Sequence, residues 1–134
     1  MANIKRANTS GITKTGSAIP DVPDAPTGVT ATDVGTSRAY NNGAASVSFT
    51  PAATGGGSIT SYTVTSSPGS FTSSGASSPL TVTGLSSATA YTFTATATNS
   101  SGTSNPASSA SSSVTATTVP QAPVITATPT VVST

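Results

Sequence analysis

The chain has 134 residues, of which only 5% are charged, a formal net charge of +1, and neither cysteine nor histidine. That inventory removes disulfides, thiolate nucleophiles, the usual general base and most zinc sites. The three acids, Asp21, Asp24 and Asp33, stand near the front of the chain. A catalytic carboxylate pair or a calcium cage needs convergent oxygens on a rigid frame, so the sequence predicts no enzyme, no metal and no cofactor.

The length accommodates one ordinary domain with some chain to spare. Hydrophobic residues make up 34%, but many are alanine, so the core must come from a short set of Val, Ile, Leu, Phe and Tyr. Threonine is abundant, and β-branched side chains suit a pleated surface. No run approaches the roughly 18 apolar residues of a membrane span. Met1 to Arg6 begins like a charged leader, but Ala7-Asn8-Thr9-Ser10-Gly11 is polar where an apolar stretch would be needed, so no secretory signal is expected.

Residues 1–24 show no sustained period of 2 or 3.6 and are read as an extended basic docking arm and linker. Lys5, Arg6 and Lys14 supply its charge, and Ile4, Ile12 and Ile19 are spaced apolar anchors. Val22-Pro23-Asp24-Ala25-Pro26 closes the arm, because two prolines force extended backbone and cannot lie inside a central strand.

Short alternating runs separated by turn signals follow, the pattern of a β-sandwich. Seven strands are expected. The first is Gly28–Thr32, and Asn41-Asn42-Gly43 is a turn. The second is Ala45–Thr50, with Ala45, Val47 and Phe49 on one face and Pro51 ending it. A glycine loop, Thr54–Ser58, leads to Ile59–Thr65. A short run lies around Phe71, a loop at Ser73-Ser74-Gly75, then Leu80–Thr83. The longest strand, Ala90–Thr98, alternates Tyr91, Phe93, Ala95 and Ala97 with threonines, which predicts one buried and one wet face. Ser113–Thr117 is the last.

The order of these landmarks resembles the fibronectin type III family over about ninety residues. Ala25-Pro26, Phe49 and then Pro51, the Gly-rich loop, Ile59 with Tyr62, Leu80, Gly84-Leu85, and Tyr91 to Asn99 with Gly102 carry the likeness. It implies an all-β, seven-stranded sandwich over 25–118, with an extended arm before it and an extended tail over 119–134. It also implies that Tyr91 is the tyrosine of the corner between two strands, its hydroxyl bonded to nearby backbone, and that Leu85 plugs the core. One departure is Phe49 where the family usually offers Trp. Val119-Pro120-Gln121-Ala122-Pro123 echoes Val22-Pro23-Asp24-Ala25-Pro26, and Val124 to Thr128 resembles an opening strand, as if a second repeat began.

The candidate sites are the arm (Ile4, Lys5, Arg6, Ile12, Lys14, Ile19) for docking on a particle, Arg38 and Tyr40 as exposed contacts, and the loops Gly55–Ser58 and Ser73–Ser78, read mostly as connectors. Phe49, Tyr62, Leu85, Tyr91 and Phe93 are the expected core. The threonine rows are read as solvent-side strand formers. An extracellular type of module without a leader, opening on a basic arm, leads to the expectation of a virion protein of a tailed bacteriophage, made in the host cytoplasm. Its partners would be capsid, neck or tail proteins, copies of itself and host-surface polysaccharide, with no nucleic acid and no membrane insertion. The alternative is a spacer or adhesion module of a bacterial secreted or surface protein.

Overall fold

The computed structural model describes residues 20–124, 127, 131 and 132. Eight strands occur in order: β1 (Thr27–Asp33), β2 (Gly43–Thr50), β3 (Ser61–Ser67), β4 (Thr72–Gly75), β5 (Leu80–Leu85), β6 (Ala90–Asn99), β7 (Gly102–Thr103) and β8 (Val114–Thr115). They form two sheets. One has the order β1-β2-β5; the other runs β4-β3-β6-β7, with β8 also on β6. All the pairings are antiparallel.

The register follows from which residues must be dry. On β6, Tyr91, Phe93, Ala95 and Ala97 are buried while the intervening threonines are only half-buried, the alternation of a sheet wet on one side. Beside it in the same sheet, β3 buries Tyr62, Val64 and Ser66 with the same period. From the other sheet come Ala45, Val47 and Phe49 of β2 and Leu80, Val82 and Leu85 of β5. A one-residue slip of any of these strands would turn its apolar set into water.

Phe93 and Leu85 are the largest fully enclosed side chains, each worth roughly 1.5–3 kcal/mol of transfer free energy. Aromatic rings bridge the core: Phe49 and Tyr62 lie 5.1 Å apart, tilted by 47°, and Phe71 meets Tyr91 edge-on at 6.1 Å. Phe49 therefore stands against Tyr62 at the place where the family offers a larger indole.

Three expectations change in the structure. Ser73-Ser74-Gly75, expected as a loop, is strand β4, because the turn after Ser67 lays it along β3 with Thr63 opposite Ser74 and Thr65 opposite Thr72. The strand expected from Ile59 begins at Ser61, although Thr60 N–H still donates to Thr98 O at 2.7 Å.

The last strand, expected at Ser113–Thr117, is reduced to β8, and a two-residue strand where a turn was expected, β7, pairs with the other end of β6. Between them serines take over the ladder. Ser104, Ser108 and Ser111 donate their N–H groups to the carbonyls of Ala97, Ala95 and Phe93. Their hydroxyls accept the N–H groups of the same three residues at 3.1, 2.8 and 3.1 Å. Each serine thus does for β6 what a strand residue's own amide and carbonyl would do, so the buried backbone of β6 stays paired.

Candidate functional site: the two poles where the chain joins the sandwich

The sandwich has a leading pole, where residues 20–26 reach β1, and a trailing pole at the far end of the strands, where residues 117–120 leave β8. Both are built around hydrogen bonds to the passing chain. At the leading pole the central group is Asn99, the last residue of β6, buried at 4% exposure. Its side-chain amide donates to Asp21 O at 2.6 Å and to Thr54 O at 2.9 Å, and its Oδ1 accepts Ser101 N–H at 2.8 Å.

Ser101 Oγ reaches Pro20 O at 2.6 Å. Asp21 N–H donates to Gly55 O at 2.7 Å, and Asp24 N–H to Ala53 O at 2.9 Å. The glycine loop exists to allow this approach: at Gly55, with φ +73°, a β-carbon would collide with the Asp21 carbonyl, so only glycine fits. Gly102 lies under the Val22 side chain, where a β-carbon would make a tight contact with its methyl group.

At the trailing pole Asp33, ending β1, accepts from Thr117 N–H at 3.1 Å, from the Thr117 hydroxyl, and from Gly35 N–H at 3.2 Å. Partial burial pushes this carboxyl up. The bonds from the Thr117 hydroxyl and amide and from Gly35 outweigh it and hold Asp33 below the usual carboxylate value, since each favours the charged form. Arg38 O accepts Val119 N–H at 3.0 Å, and Arg38 Nε donates to Asn42 O at 2.6 Å. Asn41 Oδ1 accepts Ser87 N–H at 2.9 Å, fixing the β1–β2 loop to the turn before β6.

Beside that turn the Tyr91 hydroxyl accepts Ser86 N–H at 3.0 Å. The ring is 3% exposed and its hydroxyl is bonded five residues back along the chain, the arrangement of a tyrosine corner. The sequence profile of the family described as "Fibronectin type III domain" matches residues 24–114. The chain belongs to the fibronectin type III family.

Among solved structures, the module is similar to domains A168–A170 of titin, at 28% identity and a TM-score of 0.60, over 73% of this chain and 33% of that one. It is similar to the titin kinase with its flanking domains, at 30% identity and a TM-score of 0.57, over 70% of this chain and 17% of that one. The FN1–FN3 domains of chicken CNTN1 share the fold at 20% identity and a TM-score of 0.57, over 72% of this chain and 33% of that one. The chain therefore spans a third or less of the length of these three structures. A comparison with curated protein sequences finds no match.

Fibronectin type III modules in general serve as structural or adhesive units. In this one Phe49, Tyr62, Leu85, Tyr91 and Phe93 are all buried. Of the two expected surface contacts, Tyr40 is exposed, but Arg38 is half-buried and spends its carbonyl and Nε on the trailing pole. Gly55 is not a bare connector, because it receives Asp21; Ser78 of the other loop accepts Phe49 N–H at 2.9 Å. The arm positions Ile4, Lys5, Arg6, Ile12, Lys14 and Ile19 lie outside the described residues.

The threonine rows pair among themselves across strands, Thr63 with Ser74 at 2.7 Å and Thr98 with Thr103 at 2.8 Å. Among the described residues no three His, Cys, Asp or Glu side chains gather as metal ligands. Sequence reasoning did not single out Asn99, Ser101 or Asp33 as anchoring groups. The signal available for Asn99 was a lone amide ending an otherwise strictly alternating strand.

Proposed function

We propose that this module is a non-catalytic spacer and display unit of a tailed bacteriophage particle, carried on its N-terminal segment. One observation supports the spacer role most directly. The chain is hydrogen-bonded to the sandwich where it arrives and again where it leaves, while no charged residue lies on β2 to β8. Such a body transmits position from one neighbour to the next and offers hydroxyl-covered sheet faces between them. The particle is suggested by the segment before Pro20, where Lys5, Arg6 and Lys14 stand among spaced isoleucines and suit an acidic, shallowly pocketed protein surface. Adhesion to host polysaccharide would then rest on many weak contacts multiplied over copies.

The test is removal of residues 1–19, a cut that spares Pro20 and so leaves the Ser101 bond to its carbonyl in place. The shortened protein should keep its thermal unfolding midpoint and fail to co-sediment with particles of a phage deleted for the protein, whereas the full chain co-sediments. Equal binding by both overturns the N-terminal segment as the anchor, and binding by neither overturns the particle reading. A spacer in a bacterial secreted or surface protein then takes its place, a reading favoured by the recurrence of Val-Pro-x-Ala-Pro at Val119.

A further inference from the structure

We propose that Thr117–Gln121 is a two-sided strap, held by this module on one side and shaped to fit the leading pole of a following fibronectin type III module on the other, with no free linker between them. This goes beyond the spacer reading, because it specifies the partner surface and how it is engaged. The first ground is register. Val22-Pro23-x-Ala25-Pro26 recurs as Val119-Pro120-x-Ala122-Pro123, a displacement of 119 − 22 = 97 residues. Applied to the leading pole, it maps Pro20, Asp21 and Asp24 onto Thr117, Thr118 and Gln121.

The second ground is the division of polar groups. The trailing pole of this module uses the N–H and hydroxyl of Thr117 and the N–H of Val119. The leading pole uses the carbonyl of residue 20, the N–H and carbonyl of residue 21 and the N–H of residue 24. Carried to the strap, these are the Thr117 carbonyl, both backbone groups of Thr118 and the Gln121 N–H. The two sets share no hydrogen-bonding group; the Thr117 carbonyl packs against Gly35 of this module without being hydrogen-bonded by it. Residue 20 is a proline, so a leading pole makes no demand on the very N–H and hydroxyl that Asp33 takes from Thr117.

The third ground is where apolar surface is left bare. Within the sandwich and its latched linkers the exposed large hydrophobics are Val22 at 37%, Val34 at 45%, Tyr40 at 43% and Val119 at 39%. All four stand at the poles: Val22 over Gly102 at the leading one, and Val34, Tyr40 and Val119 beside the Asp33–Arg38 latch at the trailing one. The sheet faces leave no such residue bare. Apolar residues concentrated at the two ends mark end-to-end contact rather than a side-on interface.

The experiment uses a doubled chain in which residues 22–134 of a second copy directly follow Thr118 of the first, so that Val22 takes the place of Val119. Residual dipolar couplings should show both modules sharing one alignment tensor. A flexible Gly-Ser insert after Thr118 should release them into two, and Asn99→Ala in the second copy alone should do the same. The proposal is overturned if the directly joined modules already orient independently. It is overturned equally if the insert leaves them as rigid as before, or if direct joining lowers the unfolding midpoint below that of the single chain, which would mean that the two latches compete for the strap. Co-sedimentation with particles is indifferent to these outcomes, so failure here and failure of the particle reading are separable.

Discussion

Strand β6 has two flanks, and they are encoded differently. On one side β3 matches it residue for residue, from Ser61 opposite Thr98 to Ser67 opposite Thr92. On the other, only four residue pairs with β7 and β8 are strand-like, and the middle is held by Ser104, Ser108 and Ser111. The β3 flank is specified by alternating apolar side chains, so its hydrogen bonds come along with core burial. The serine flank is specified by hydroxyls that replace backbone acceptors. Two of those hydroxyls also donate onward, Ser108 to Ser109 O and Ser111 to Ser112 O. An edge built this way offers a poor template for another strand, a common danger at sheet margins.

The contrast can be broken from the core side with the largest effect. Phe93→Ala removes a ring that is fully buried and should cost roughly 3–5 kcal/mol in urea unfolding, enough to threaten the whole fold. Tyr91→Phe should cost roughly 1–3 kcal/mol, since the Ser86 N–H loses its acceptor in a part-buried site. A change near zero would show that the corner bond contributes nothing.

Breaking the serine flank gives a more local signature. Ser111→Ala leaves the Phe93 amide without its hydroxyl partner; it should cost roughly 1–3 kcal/mol and speed hydrogen exchange at Phe93 while leaving the amides of β3 protected. Ser109→Ala, at an exposed neighbour, should stay within about 0.5 kcal/mol. Equal effects from the two serines would mean that composition, not position, holds this edge.

The smallest effect concerns acid. Asp33 is held below the usual carboxylate value in the folded state, so its contribution is present above the unfolded value of about 3.9 and is lost as pH falls through the lower folded value. Unfolding midpoints measured below pH 5 should therefore fall with pH less steeply in Asp33→Asn than in the parent. Identical slopes would show that the Thr117 latch does not depend on charge.

How much of this could be read from the sequence depends on the range of each interaction. Tyr91, Phe93, Ala95 and Ala97 announce both their strand and its buried face, because alternation is local. Ser104, Ser108 and Ser111 are spaced by four and then three, a helical spacing and not a strand's period of 2, and among so many other serines they pass in the sequence for polar loop. The poles were hidden for another reason. Asn99 finds Asp21 at 78 residues' separation and Asp33 finds Thr117 at 84; nothing local in either residue specifies so distant a partner. Only the Val-Pro-x-Ala-Pro recurrence hinted that the ends of the sandwich are related.

Asn99-Ser100-Ser101 also has the form of an acceptor for an N-linked sugar, Asn-x-Ser. The nitrogen that would carry the sugar is the one donated to Asp21 and Thr54, on a residue almost wholly enclosed. In a eukaryotic secretory host, an oligosaccharyltransferase could reach this asparagine only before β6 pairs and the leading pole closes, so any molecule glycosylated there would be one that had lost its hold on its own N-terminal linker.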